Sequence, residues 1–96
     1  VGRSKNLFGP YVDKKGVSMS DNHHEILIQK NKEFVGPGHN SELVTDKKGN
    51  DWMFYHAVSV ANPEGRVLMM DRVQWKGDWP FVKGISPSLK AAAPKF

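Results

Sequence analysis

Hydrophobic and polar positions in this chain cluster into two long segments, Trp52 to Val58 and Arg66 to Trp75. In the first, Trp52, Phe54, His56 and Val58 fall on one side of an extended backbone and Met53, Tyr55 and Ala57 on the other. In the second, Leu68 and Met70 oppose Val67, Met69 and Val73. Both faces are apolar, whereas a sheet wet on one side alternates apolar with polar. The pattern predicts strands covered on both faces. The remaining ~60 residues of loop are too few to supply two layers at the usual sheet spacing of about 10 Å, so those layers are expected from another chain or from a part of the protein outside this one.

Turn chemistry links the strands. Ser41 to Thr45 is short and partly β-branched, Asp46 to Asp51 is a polar turn with Gly49 available for positive φ, and Trp52 to Val58 completes a hairpin. The loop Ala61 to Gly65 leads to the Arg66–Trp75 strand, giving a three-stranded antiparallel meander. Gly77 to Pro80 turns again, and Phe81-Val82 is expected to pair briefly. Just before the hairpin, Gly36-Pro37-Gly38 predicts a tight bend with His39 at its mouth, since Pro37 fixes its own φ and the glycines tolerate unusual angles. Further upstream, Arg3 to Tyr11 reads as the tail of a strand running into a Gly-Pro turn. Asp13 to Gly16 is a turn, Val17 to Glu25 a loop, and Ile26-Leu27-Ile28 a lone apolar patch. Gly84 to Phe96 lacks any core-forming pattern. No window carries apolar residues at helical spacing over three turns, and no internal repeat is evident. The fold class is all-β and incomplete on its own, with residues 1–96 forming a piece of a larger domain, which the resemblance described below makes a C-terminal fragment or subunit.

Composition narrows the chemistry. With 96 residues, 39% hydrophobic and no cysteine, stability rests on apolar burial, and disulfide or thiolate-metal chemistry is absent. No segment approaches the ~18 apolar residues of a spanning helix, and no apolar run follows the basic N-terminal residues, so neither membrane anchor nor signal peptide is expected. The net charge of +4 comes from lysines dispersed through turns, such as Lys14-Lys15 and Lys47-Lys48. A phosphate-binding footprint clusters its cations on one face, so nucleic acid and membrane are not expected partners.

Six short motifs occur in order: Arg-Ser-Lys-x-x-x-Gly-Pro-Tyr at 3–11, Gly-Pro-Gly-His-Asn-Ser at 36–41, Asp-x-x-Gly-x-Asp-Trp at 46–52, Tyr-His-Ala at 55–57, Gly-Arg-x-Leu at 65–68, and Val-x-Trp with Asp-Trp-Pro-x-Val at 73–82. Together they resemble the C-terminal portion of family 43 glycoside hydrolases. The resemblance implies the last blade or blades of a five-bladed β-propeller, whose blades are antiparallel meanders sandwiched between neighbours, in agreement with the two apolar faces. It implies an inverting glycosidase acting on arabinose- or xylose-containing polysaccharide, and an exported protein, secreted or periplasmic.

Carried over residue by residue, the resemblance assigns no catalytic carboxylate here. The family's general base, general acid and tuning Asp lie upstream of these motifs, and Glu42 and Asp71 read as ordinary strand residues. His39 matches a histidine that faces the central channel and is the one protein ligand of a hydrated metal ion, usually calcium. The alternative is a histidine hydrogen-bonded to backbone at the bend. Arg66 matches an arginine that reaches substrate hydroxyls, although Val67-Leu68 departs from the Glu-Thr that usually follows it, so a strand-end surface cation is its alternative. Trp52, Trp75 and Trp79 suit either core packing or stacking on sugars. His23-His24 reads as loop. Two further classes stay open: a non-catalytic sugar-binding module using the tryptophans, and a small basic β-barrel binding nucleic acid.

Overall fold

The computed structural model describes residues 1–96. Its core is an antiparallel sheet of five strands, β1 (Phe34–Gly38), β2 (Leu43–Thr45), β3 (Asp51–Ser59), β4 (Arg66–Lys76) and β5 (Trp79–Phe81). The order is β1-β3-β4-β5, with β2 also on β3. β1 and β2 lie end to end along the same edge of β3: Phe34 pairs with Ser59 and Val35 with Val58, while Leu43 pairs with Met53 and Thr45 with Asp51. The expected three-stranded meander therefore gains β1 beside β2, and the brief pairing expected at Phe81-Val82 is β5, shifted to Trp79–Phe81. The Gly-Pro-Gly segment is not merely a bend, because it is strand β1 with a register shift between Val35 and Gly38. Regular helix is absent, with only single 3-10 turns at Met19–Asp21 and Lys83–Ile85.

One face of the sheet holds the core. Met53, Tyr55, Ala57, Met69 and Val73 are buried there with Val82, and Leu27, Ile28 and Phe34 pack against them. The lone Ile-Leu-Ile patch is thus the lid of this face. On the other face Trp52 is buried, Phe54 packs on Phe96 with ring centroids 5.9 Å apart, and Leu68 is left 77% exposed. The expectation of two absent layers needs correction on this point: the chain covers one face itself and part of the other with its tail. That tail has no apolar period because, apart from Phe96, it docks by polar contacts. Pro87 O accepts from Asn31 Nδ2 at 2.9 Å, Ser88 N donates to Asp71 at 3.2 Å, and Lys95 O accepts from Lys47 N at 2.7 Å. The Cα radius of gyration, 14.7 Å, exceeds the ~12.5 Å of a compact chain of this length. Only 12 residues are buried, as expected of a sheet whose second face is half open.

The turn Asp-Lys-Lys-Gly occurs twice with the same bonding, a repeat too short to register in the sequence. In each, the Asp amide donates to the carbonyl four residues on and the Gly amide donates back to the Asp carbonyl. Asp13 Oδ1 accepts from the amides of Lys15 and Val17, and Asp46 Oδ1 from those of Lys48 and Asn50, all at 2.8–2.9 Å. Asp46 Oδ2 adds the Trp52 indole N–H at 2.9 Å, tying the turn to the core. That indole bond, ahead of the turn amides and Asn50, holds the Asp46 carboxyl down to about 2. Asp13 is lowered as well, chiefly by the Val17 amide.

A depressed folded-state pKa stabilises the fold above the ordinary carboxylate range and is lost as pH falls through the folded value. For Asp46 that window runs from 3.8 down to about 2. In a protein carrying this chain, Asp46→Asn is expected to lower the melting temperature at neutral pH and to flatten its decline across this window. A pH profile superimposable on the parent's would refute the assignment.

Candidate functional site

Between β1 and β2 the edge strand opens at His39 to Glu42. Two backbone angles shape the opening: Gly36 has φ 59° and His39 φ 51°, left-handed values that a histidine adopts more readily than most side chains. Ser41 then returns the chain to the sheet. Its amide donates to Phe54 O at 2.8 Å and its hydroxyl to Glu42 O at 2.6 Å, while Asn40 Nδ2 donates to Ser41 O at 2.8 Å. The Asn-Ser of the Gly-His-Asn-Ser motif is thus the brace that holds His39 outward. His39 is exposed, and its ring forms no hydrogen bond within this chain.

The structure brings a second imidazole to the same place. Gly38 pairs with His56 across β1 and β3, and the His39 and His56 rings stand 5.7 Å apart at 45°. His56 Nδ1 is the one buried side-chain polar atom without a hydrogen-bond partner. Buried polar groups are nearly always paired, so an orphan nitrogen is informative. Sequence reading placed His56 only on an apolar face; the available signal was an imidazole among Trp52, Phe54 and Val58. Arg66 pairs with Val58, on the same face as His56 and one pair further along, since His56 itself pairs with Leu68. The guanidinium is exposed and enters no ion pair. His39, His56 and Arg66 are therefore presented by three adjacent strands towards one end of the sheet.

The acids do not join them. Asp71 is buried, accepts from Tyr55 OH at 2.6 Å and from Ser88 N, and is an anchor between core and tail rather than a plain ladder residue. Burial, ahead of the Asp71 carboxylate, pushes the Tyr55 phenol well above its ordinary range. Glu42 is exposed in the opening. Nowhere do three or more His, Cys, Asp or Glu side chains converge as a metal cage. His23 contacts only the first turn, its Nδ1 3.4 Å from Asp13 Oδ2. Of the tryptophans, Trp52 and Trp79 are buried, the latter under the Arg3 guanidinium at 4.6 Å, so core packing accounts for both. Trp75 is 53% exposed.

An antiparallel meander whose one edge strand opens to display polar side chains, and whose second face is half open, has the form of a β-propeller blade. The chain belongs to the glycosyl hydrolases of family 43, whose sequence pattern matches residues 1–80. It is 41% identical over 83 residues to the extracellular exo-alpha-(1->5)-L-arabinofuranosidase of Cellvibrio japonicus, covering 85% of this chain and 23% of that protein. It is 38% identical over 80 residues to the extracellular endo-alpha-(1->5)-L-arabinanase 1 of Bacillus subtilis, covering 82% and 23%. Among solved structures, the Cellvibrio cellulosa alpha-L-arabinanase complexed with arabinohexaose aligns with TM-score 0.73 and 40% identity over 84% of this chain and 25% of its own. An exo-1,5-alpha-L-arabinanase from a bovine ruminal metagenomic library aligns with TM-score 0.73 and 30% identity, covering 84% and 26%. The chain thus spans about a quarter of the length of these relatives. Their five-bladed propeller is the architecture into which this blade fits.

Proposed function

We propose that this chain is the C-terminal part of the propeller domain of a secreted, inverting glycoside hydrolase that cleaves arabinan. The supporting observation is the joint match of sequence and fold: its solved relatives are named as arabinanases, one of them complexed with arabinohexaose. Export is supported by the names of the relatives, which call them extracellular. The general acid and base would come from the remainder of the propeller, because every buried carboxylate here is committed to a turn or to the tail. Arg66, permanently charged and without an ion-pair partner in this chain, would donate to substrate hydroxyls, as the family resemblance implies.

His39 is the residue proposed to hold a divalent ion, calcium by family resemblance. Calcium prefers oxygen ligands, and this chain offers imidazole without a carboxylate cluster. The donor set fits an ion held mainly through water with one protein ligand, and does not fit a protein-caged calcium. When bound, such an ion supplies positive charge that lowers nearby pKa values. His56 packs against the His39 ring and limits its orientation.

The test is hydrolysis by the full-length protein carrying this chain. Linear α-1,5-arabinan is expected to be cleaved with inversion at the anomeric carbon. Activity confined to xylan, or products of retained configuration, would overturn the reading.

A further inference from the structure

Histidines that hold a metal almost always donate their second ring N–H to a fixed acceptor, which sets both the tautomer and the angle of the ring. No carboxylate of this chain stands within ion-pairing distance of the His39 ring or the His56 ring, the one histidine so placed being His23. What lies beside His39 is the second imidazole, with ring centres 5.7 Å apart. Two imidazoles that share one N–H···N bond of ~3 Å have their centres about 5 Å apart. A small turn of the His39 side chain, whose ring no hydrogen bond restrains, closes that difference.

His56 supplies what such a donor needs. Its Nδ1 is buried without a hydrogen-bond partner, and the atoms that enclose it belong to this chain, so its state does not depend on which surfaces the rest of the propeller covers. A buried polar atom left unpaired is costly, and a single donor relieves it. The other side chains of the opened loop are already committed. Asn40 Nδ2 donates to Ser41 O and the Ser41 hydroxyl to Glu42 O, while Glu42 as a carboxylate has no proton to give. His56 itself is held firmly, in the interior of β3 with Gly38 opposite it on one side and Leu68 on the other. We propose that His56 is the positioning residue of the ion site: its unprotonated Nδ1 accepts the Nδ1–H of His39, which leaves the outer nitrogen of His39, Nε2, as the one free for a hydrated divalent cation. The proposal rests on the ion proposed at His39. Both partners in the bond are side chains of the protein, so the bond forms without the ion and presets the ring that receives it.

The experiment uses the full-length protein carrying this chain, stripped of metal, as parent, His56→Phe and His56→Asn. Phenylalanine keeps a ring in the packing position without a nitrogen, and the asparagine side-chain oxygen stands close to the place of the imidazole Nδ1. Titration with calcium chloride in a calorimeter is expected to show affinity about tenfold lower in His56→Phe, the lower end for loss of a partner behind a metal ligand, and near the parent's in His56→Asn. The melting temperature of His56→Phe should stay near the parent's, because the change removes an unpaired polar atom from the interior. Two-bond 15N–1H correlation on the metal-free, histidine-labelled protein at about pH 8.5, above the ordinary imidazole range, reads the tautomers independently of activity. His39, identified by the signals lost in His39→Gly, is expected to carry its proton on Nδ1 in the parent and in His56→Asn, and on Nε2 in His56→Phe. A His39 tautomer that His56→Phe leaves unchanged overturns the proposal, since an acceptor elsewhere in the propeller then sets the ring. Calcium affinity unchanged in His56→Phe also overturns it and leaves the ion at His39 standing, and equal loss in the two variants overturns it because an acceptor at this position is then not what the site needs. A parent that takes up no calcium, yet shows the His56-dependent tautomer, would sink the ion at His39 and leave the histidine pair standing.

Discussion

Incubated alone with linear α-1,5-arabinan, this chain is expected to release no sugar above the uncatalysed background. Inversion requires an acid and a base carboxylate about 6.5–9.5 Å apart, with a water between them. The buried acids of the chain are all engaged elsewhere. Asp13 and Asp46 close turns, and Asp71 accepts a hydrogen bond from the Tyr55 hydroxyl. Asp51 is bound by Thr45 and Trp75. Freeing any of these to act would dismantle the element it holds. A reducing-sugar assay is sufficient to decide the matter. Turnover by the purified chain that disappears on replacing one of its own Asp or Glu residues would contradict this. Addition of the rest of the propeller is expected to restore cleavage, with the acids supplied by that part.

In the full-length protein, substitution of His39 is expected to remove the bound ion and lower kcat by about 10- to 100-fold, the range seen when metal-site partners are lost. The choice of replacement matters because His39 sits at φ 51°. Alanine there adds backbone strain of its own and asparagine would offer the ion a side-chain oxygen, whereas glycine tolerates the left-handed region and supplies no ligand, so His39→Gly isolates the loss of the imidazole. The side chain is exposed, so little packing is lost and the melting temperature should stay within a few degrees. Elemental analysis of the dialysed protein reads the ion directly. Unchanged ion content together with an intact rate would return His39 to a bend residue with no ligand.

The central hairpin and the β4 strand were legible because their residues are apolar on both faces over seven or more positions, a pattern that turns cannot imitate. β1 was not, since Phe34-Val35-Gly36-Pro37-Gly38 carries two glycines and a proline, residues that speak against a strand. It pairs nonetheless because it is an edge strand with a register shift, where a missing N–H costs little. The tail lacks a core-forming pattern, as read, and its docking was hidden because the attachment runs through backbone groups of Pro87, Ser88 and Lys95, which no side-chain pattern encodes. At the candidate site, His39 was visible from its motif, and the structure puts it in the opening between β1 and β2. His56 was hidden because proximity across β1 and β3 depends on register, and the register depends on the irregularity between Val35 and Gly38. The three tryptophans are alike in sequence, and only the fold separates the buried Trp52 and Trp79 from the exposed Trp75.

Proline stands on both margins of the sheet, Pro37 in β1 and Pro80 in the three-residue β5. Each removes a donor from the row of backbone groups that a foreign strand would use to extend the sheet, and the opening after Gly38 interrupts one of those rows altogether. Copies of this chain therefore have poor means of zipping together side by side into fibrils. What remains adhesive is the half-covered face with Leu68, where burial yields ~25 cal/mol for each Å² of apolar surface. Self-association should accordingly be stacking of faces, reversible by dilution and suppressed by the cognate neighbouring blade, without the thioflavin-binding aggregates that an unguarded edge of this length would seed.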